Sequence, residues 1–393
     1  MRFRSLKDAD VRGKRVLLRE DLNVPMKDGG IADETRISAA LPTLRWLRER
    51  GARTVILSHL GRPDGKPNPK YSLRPLAARL SELLATEVRF VDDCVGEAAV
   101  AASRALRDGD VALFENVRFH AEEETNDPAF ARELAKSGDL YVNDAFGTAH
   151  RAHASTAGVA QDLPSYAGFL MEAELAALTR LTEHPEHPFV CAIGGAKVVD
   201  KVGVFEHLLA KVDAFVIGGR MANTFLAAQG IEVGRSLRDP DLVPAQRIIA
   251  MSLAEGVALH LPTDAVVADA FDADGTARTV PLTDVGDGMI LDIGPETARA
   301  YAEVLRKART IVFNGPMGVY EKPPYRNGTR VVGEAIAEAT QHGAISVVGG
   351  GDAAAAAHAL GFAGAMTHVS TGGGATLEFL EGKTLPGVAA LER

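Results

Sequence analysis

Short runs of Val, Ile and Leu recur along this chain without polar alternation, and longer amphipathic stretches separate them. In the first half the runs are Arg15 to Leu18, Arg53 to Leu57, Val111 to Phe114 and Leu140 to Val142. In the second half they are Phe189 to Ile193, Ala214 to Ile217, Ala265 to Ala268, Thr310 to Phe313 and Ile345 to Val348. An uninterrupted apolar run suits a strand covered on both faces. Between the runs, Thr35 to Arg50, Leu73 to Leu84, Pro128 to Lys136, Val202 to Lys211 and Pro295 to Lys307 read as amphipathic helices. Strands alternating with helices through right-handed crossovers build parallel sheets clothed by helices. The pattern occurs once in each half. It predicts an α/β fold of two Rossmann-like lobes, each a parallel sheet flanked by helices. Leu170 to Leu181 reads as a helix, and the prolines of Glu183-His184-Pro185-Glu186-His187-Pro188 end it. That helix is the expected hinge between the lobes, and His184 and His187 belong to a solvated linker rather than a metal site.

Composition agrees with two domains, since 393 residues exceed what one hydrophobic core usually supports. Hydrophobic content of 46% and charged content of 24% are ordinary for a soluble protein. A net charge of −9 argues against nucleic acid as the main partner, because phosphate-backbone binding needs a basic surface. The cysteines, Cys94 and Cys191, lie far apart and read as buried thiols in a reducing cytosol. No N-terminal apolar segment and no run of about 18 apolar residues points to secretion or a membrane span. A cytoplasmic monomer acting on small molecules is expected.

The candidate chemistry differs between the halves. Before about residue 160, strand ends carry Arg, His, Asn and Asp: Arg19-Glu20-Asp21-Leu22-Asn23, Ser58-His59-Leu60-Gly61-Arg62, Glu115-Asn116-Val117-Arg118, Asn143-Asp144 and His150-Arg151. Ligands bind beyond the carboxyl ends of strands in an open parallel sheet. Asp21, Asn23, His59, Arg62, Arg118, His150 and Arg151 therefore share one expected rim, with Arg36 opening the helix after the first strand. Guanidinium forks grip a small anion by paired hydrogen bonds. A lone Arg is more often a surface charge; recurrence at successive strand ends favours a site. His150 and His153 have a spacing open to zinc, but lack the Cys or carboxylate companions of such sites.

After about residue 190 the corresponding places carry glycine: Gly194-Gly195-Ala196-Lys197, Gly218-Gly219, Asn314-Gly315-Pro316, Gly349-Gly350-Gly351-Asp352 and Gly372-Gly373-Gly374. Bare glycine backbone at a helix start lets N–H groups approach a polyphosphate. The Gly349 tract also contains a loose G-x-G-x-x-A, but only about forty residues follow it, too few for a dinucleotide domain. A mononucleotide site fits better. The Ser370-Thr371-Gly372 tract reads equally as a phosphate loop or as a plain helix cap. Lys197 and Lys201, four residues apart, would share a face if both were helical. No Walker A run and no protein-kinase motif set is present.

Taken together these runs resemble the phosphoglycerate kinase family over essentially the whole chain. The resemblance rests on Arg19-Glu20-Asp21-Leu22-Asn23-Val24-Pro25, Ser58 to Pro63, Glu115 to Phe119, Tyr141 to His153, Gly194 to Lys201, Asn314 to Glu321, the Gly349 tract and the Ser370 tract. It implies a 3-phosphoglycerate lobe over residues 1–169, with 378–393 packing back on it. A connector over 170–188 and a nucleotide lobe over 189–377 would follow. It further implies that Asp21, Asn23, Arg36, His59, Leu60, Gly61, Arg62, Arg118, His150 and Arg151 hold 3-phosphoglycerate, with Arg36 reaching the phosphoryl group in flight. Gly195, Lys197, Lys201, Gly219, Asn314, Glu321, Gly350, Gly351, Asp352 and Ala353 would hold the nucleotide. Asp352 would meet Mg2+ as the Mg-ATP or Mg-ADP complex, and Gly373 would lie at the helix start facing the phosphates.

The chain departs from the family pattern at Glu20, which puts an extra carboxyl group near the expected substrate rim. Val199, Arg220, Ala353 and Thr376 differ around the nucleotide tracts. The implied reaction is reversible phosphoryl transfer between ATP and the carboxylate of 3-phosphoglycerate, with hinge closure. Two other readings remain at this stage: a nicotinamide oxidoreductase built on the Gly349 tract, and a non-catalytic two-lobed anion-binding protein. The second would have no use for a lysine pair and two glycine-rich helix starts.

Overall fold

The computed structural model describes residues 3–392. The chain divides into two compact units, one running up to Leu175 and regained from Thr384 onward, the other spanning Ala176–Lys383. The division falls inside the helix Phe169–Glu183, and residues 378–383 belong to the second unit.

The first unit is built on β1 (Arg15–Arg19), followed by a small hairpin of β2 (Met26–Lys27) and β3 (Gly30–Ile31). Then come β4 (Arg53–Leu57), β5 (Val88–Val91), β6 (Val111–Phe114), β7 (Leu140–Asn143) and β8 (Ser165–Ala167). Six of them form an all-parallel sheet in the order β5-β6-β4-β1-β7-β8. Strand alternation sends Val16 and Leu18 of β1 into a core with Ile56, Leu113 and Val142. Leu44 and Leu47 of α1 (Thr35–Glu49) and Leu76 and Leu80 of α2 (Arg74–Leu84) cover them. Each such fully buried Leu contributes roughly 1.5–3 kcal/mol. Pro75 in its first turn starts α2, and left-handed Ala85 ends it.

The second unit contains β9 (Phe189–Ile193), β10 (Ala214–Ile217) and β11 (Ala258–His260). These are followed by β12 (Asp264–Ala268), β13 (Arg278–Pro281), β14 (Met289–Ile293), β15 (Thr310–Asn314), β16 (Ile345–Val348) and β17 (His368–Val369). Its parallel sheet runs β11-β10-β9-β15-β16-β17. The run Ala265 to Ala268 does not join it. β12 instead centres a three-stranded antiparallel sheet, β13-β12-β14. An apolar run does not by itself distinguish the two settings; what decides is that no crossover helix links β12, β13 and β14.

Besides the hairpin β2-β3 and the insertion strands β13 and β14, the strands that sequence pattern overlooks, β5, β8, β11 and β17, lie in the outer parts of the two parallel sheets. They are short and half-exposed, so they lack the continuous apolar signature. The connector helix extends from Phe169 to Glu183. Among the described residues no helix is long and apolar enough to cross a membrane.

The segment from Thr384 onward completes the first unit. Gly387 donates its N–H to the Ala149 carbonyl at 2.8 Å and accepts from the Asn143 side chain at 3.3 Å. In the second unit, Tyr301 on the helix Pro295–Arg306 is buried, and its hydroxyl reaches the carbonyls of Ile217 at 2.8 Å and His260 at 3.0 Å. It ties the ends of β10 and β11 to that helix. Tyr301→Phe should lower stability by about 1–3 kcal/mol, because a buried acceptor loses its donor. Urea unfolding of the full chain measures this, and an unchanged midpoint would refute the role.

Candidate active site

In each parallel sheet the chain leaves two neighbouring central strands in opposite directions. From β1 it moves to β4 on one side and from β7 to β8 on the other; from β9 it moves to β10 and from β15 to β16. The crevice beyond the carboxyl ends at such a point is where open α/β sheets bind ligands. The candidate residues gather at both places.

In the first unit, Asp21 and Asn23 follow β1, and Arg36 opens α1. The Arg36 guanidinium donates to the Asp21 carboxylate at 3.0 Å and to the Asn23 carbonyl at 3.0 Å. The Asn23 side-chain oxygen accepts from the Gly61 N–H at 2.9 Å, and the Gly61 carbonyl accepts from Arg118 at 2.9 Å. Arg118 also lies 3.2 Å from Glu124. Buried Leu60 contributes through its backbone, its carbonyl accepting from Asn116 at 2.8 Å. Arg62, next along the same loop, is exposed. His150 and Arg151 sit side by side, with the Arg151 Nε 3.2 Å from the His150 Nε2. The structure thus links Asp21, Asn23, Arg36, Gly61 and Arg118 in one bonded series. His59 lies 4.0 Å from Asp21.

Behind this rim is a layer the sequence reading missed. Arg19, fully buried, donates to the Ser155 hydroxyl at 2.8 Å, to the Glu20 carbonyl and to the His59 Nδ1 at 3.2 Å. Ser155 in turn bonds buried Glu123, hydroxyl at 2.6 Å and N–H at 2.8 Å. An imidazole that accepts at Nδ1 carries its proton on Nε2, so His59 offers a donor rather than a base. Burial, reinforced by Arg19, Arg118 and Arg36, holds the His59 pKa well below the ordinary imidazole value. Burial and Arg118 push that of His153 down to about 3. His153 lies 3.8 Å from Glu123. Glu123 had no signal in the sequence beyond its place in an acidic run after Arg118.

Glu20 corrects an expectation. It adds no charge to the rim, because its side chain is fully buried under the sheet end beside Asp144.

In the second unit the glycines of the two central loops pack backbone on backbone. A Cβ on Gly194 would overlap the Pro316 and Gly315 carbonyls, and one on Gly315, at φ +111, would overlap Gly194. Only glycine permits that approach. Next to it opens a cavity of about 580 Å³ lined by Gly195, Gly219, Glu321 and Asp352 among the expected residues. Its apolar wall comes from Leu237, Phe271, Leu282 and Met289 to Leu291, largely the antiparallel insertion, which no motif announced.

Lys201, Asn314 and the Gly349 tract form a neighbouring cluster. The Lys201 ammonium bonds the Asn314 side-chain oxygen, whose amide donates to the Gly349 carbonyl at 2.7 Å. Burial lowers the Lys201 pKa. Gly350 and Gly351 begin the helix Gly351–Ala359, where Ala353 is buried in the core. Lys197 departs from the shared-face expectation: it is exposed in irregular chain, while Lys201 ends a separate short turn, Val199–Lys201. The Val198 N–H bonds the Asp239 carboxylate at 2.8 Å instead of a helix carbonyl. Ser370 caps its own turn, accepting from the Gly372 N–H at 3.0 Å, and Gly373 precedes the helix Gly374–Leu380. Arg220 lines the cavity with its guanidinium drawn to the Arg238 carbonyl at 3.3 Å, 3.7 Å from Asp239. His187 is paired with Asp213 at 2.7 Å.

The phosphoglycerate kinase family profile matches residues 6–383. Phosphoglycerate kinase from Chloroflexus aurantiacus is 56% identical over 397 aligned residues, covering 100% of this chain and 99% of the relative. The protein of that description from Pelotomaculum thermopropionicum is 54% identical, with 100% and 99% covered. Among solved structures, phosphoglycerate kinase from Coxiella burnetii aligns with a TM-score of 0.90 at 43% identity, over 99% of each chain. That from Pyrococcus horikoshii OT3 aligns with a TM-score of 0.83 at 37% identity, over 99% and 98%.

The neutral imidazoles of the first unit have a measurable consequence. His59 and His153 are uncharged in the folded protein at neutral pH, whereas in the unfolded chain they bind protons near pH 6.5. Their contribution to stability is complete above about pH 6.5 and declines as pH falls through the lower folded values, for His153 down to about 3. Urea unfolding between pH 7 and 5 should show a shallower decline in His153→Gln than in the parent. Parallel curves would contradict this.

Proposed function

The chain belongs to the phosphoglycerate kinase family, and from that premise we propose how its two units share the reaction. The enzyme transfers a phosphoryl group reversibly between ATP and the carboxylate of 3-phosphoglycerate, giving ADP and 1,3-bisphosphoglycerate. The first unit takes 3-phosphoglycerate and the second takes the nucleotide. What carries this reading is the contrast between the two crevices. One presents guanidinium and imidazole donors; the other presents bare glycine backbone beside an apolar cavity of about 580 Å³. A small, highly charged anion suits the first, and a flat base with a polyphosphate suits the second.

In the first unit, Arg62, Arg118 and Arg151 would neutralise the non-reacting phosphate with His150, while Asp21 and Asn23 meet the sugar-acid hydroxyl. His59, kept neutral, would donate from Nε2. Leu60 and Gly61 supply backbone. In the second unit, the apolar wall would receive the base and Glu321 the ribose. Lys197, Lys201, Gly195, Gly219, Asn314, Gly350, Gly351 and Ala353 would line the phosphate path. Asp352 is an exposed carboxylate on the cavity lining, the hard oxygen donor that Mg2+ accepts alongside phosphate oxygens. When bound with the nucleotide, Mg2+ would supply charge neutralisation at the phosphates.

The attacking group is already a carboxylate, so no general base is needed and catalysis rests on positioning and charge neutralisation. Arg36, Lys197 and the helix start after Gly373 are the groups proposed to neutralise the moving phosphoryl. In-line transfer requires the two bound ligands to meet, and a closing motion on loading both satisfies that requirement while excluding water from the acyl phosphate. The acidic balance of −9 supports small-molecule partners over nucleic acid or membrane surfaces, in a cytoplasmic monomer.

Arg36 is held ready by Asp21 and by the Asn23 carbonyl. Arg36→Ala should therefore lower kcat by roughly 10³ to 10⁵ with little change in KM for 3-phosphoglycerate. Arg62→Ala should act mainly by raising KM. Steady-state kinetics on both separates the roles, and an Arg36→Ala variant that keeps kcat and loses only KM would assign Arg36 to ground-state binding.

A further inference from the structure

β1 and β7 are parallel neighbours with Arg19 opposite Asn143, so the next residues, Glu20 and Asp144, leave the sheet side by side. Backbone bonds fix both: Glu20 donates to the Leu57 carbonyl at 3.0 Å and Asp144 to the Arg19 carbonyl at 2.9 Å. Both side chains are fully buried. Neither Glu20 carboxyl oxygen has a hydrogen-bond partner among the ordinary donors, and the same holds for the Asp144 Oδ2. Arg19, whose charge acts on Glu20, spends its guanidinium on Ser155, His59 and the Glu20 carbonyl, and makes no hydrogen bond to the Glu20 carboxyl group.

The other Asp144 oxygen is engaged. Its Oδ1 accepts from the Met171 N–H at 3.0 Å in the first turn of the connector helix Phe169–Glu183. Thr43 supports the same turn, its hydroxyl accepting from the Phe169 N–H at 3.2 Å. Gly168 leaves no room for a Cβ against the Asp144 carboxylate. Asp144 is thus the side-chain cap of the helix in which the chain passes from the first unit to the second.

We propose that Glu20 is a positioning residue that stays protonated and donates its proton to Asp144, fixing the carboxylate that caps the connector helix. Two ionised carboxylates in contact away from water are strongly disfavoured, whereas one proton between them turns a repulsion into a charge-assisted hydrogen bond. The surroundings favour this state. At Glu20 burial and the negative charge of Asp21 together outweigh what Arg19 offsets. At Asp144, Glu172 adds negative potential, but the Thr43 hydroxyl and the Met171 and Leu170 N–H groups favour the ionised form, so the proton belongs on Glu20. Burial, then Asp144, push the Glu20 pKa well above the usual carboxylate range; burial raises that of Asp144 to about 6. The pair titrates as one unit. The residue after Glu20 is Asp21, the partner of Arg36, so two consecutive residues join the expected substrate rim to the helix cap.

The sign of the pH effect follows. A carboxyl group whose folded pKa is raised takes up a proton on folding, so the stability it supports is lost as pH rises above the unfolded value of about 4.5. Glu20→Gln keeps a donor facing Asp144 and has no proton to lose. Relative to Glu20→Gln, the folding equilibrium constant of the parent should therefore weaken by up to tenfold per pH unit between pH 6 and the folded pKa of Glu20. Turnover should follow, with the parent losing kcat at alkaline pH, Glu20→Gln holding it, and KM for 3-phosphoglycerate moving in neither. Infrared difference spectra should show a protonated-carboxyl band in the parent at pH 7 that is absent from Glu20→Gln. Parallel stability curves from pH 6 to 9, or no protonated-carboxyl band at pH 7 in the difference between the parent and Glu20→Gln, where the contribution of buried Asp292 cancels, would overturn the proposal. Because protonation is read directly, these outcomes are independent of which substrate the first unit holds.

Discussion

A guanidinium without access to water sits at the end of β1, and much of the first unit is arranged to meet it. Burying a charge is tolerable only when it is paired and fully hydrogen-bonded. Arg19 obtains that from Ser155, from the Glu20 carbonyl and from His59, with Glu123 balancing the charge through Ser155. Each partner then carries a consequence. His59 becomes a neutral donor, and Glu123 must be buried to face Ser155. The π-helical turn Ala154–Gly158 is held against the helix Ala121–Glu124. The outward-facing arginines are spread over loops whose positions depend on this inner layer.

The second unit solves the opposite problem. Where its two central strands end, side chains are removed rather than added, as the nucleotide site proposed there would require. Gly194 and Gly315 touch where the two central strands end, and the Asn314 side chain bridges Lys201 to the Gly349 carbonyl. Asp292 shows how tightly the surrounding wall is built. Burial pushes its pKa up to about 8 against the pull of the Gly328 and Ile293 N–H groups, and glycines at 318 and 328 make way for it.

The central strands of both sheets were legible because burial on both faces leaves an uninterrupted apolar run, as in Phe189 to Ile193. Outer strands such as Val88–Val91 and His368–Val369 were not, since one side meets solvent and the run breaks. The rim residues were legible because loops that carry Arg, His and Asn at successive strand ends are improbable as surface decoration. The inner layer was not. Glu123 in an acidic helix turn and Glu20 beside Asp21 look like surface charge until the register of β1 with β7 and the burial of Ser155 are known. The antiparallel insertion that walls the cavity was misassigned because Ala265 to Ala268 has the composition of a parallel strand. The shared face that Lys197 and Lys201 would have on a helix does not form, because the Val198 N–H goes to Asp239, a partner that spacing cannot show.

The return of the chain to the first unit has a further consequence, in the order of synthesis. The Ala149 carbonyl finds its donor at Gly387, and the Asn143 amide finds there an acceptor besides the Thr156 carbonyl, 244 residues further along the chain from Asn143. The second unit, by contrast, is one continuous stretch, Ala176–Lys383. On the ribosome the first unit emerges before the second but lacks its closing segment until the second has been made. Domains generally fold in the order they appear. Here the unit begun second is the first to have all its parts. The nascent first unit must wait for the Gly387 N–H that meets the Ala149 carbonyl, a contact of very long sequence separation and correspondingly slow to form.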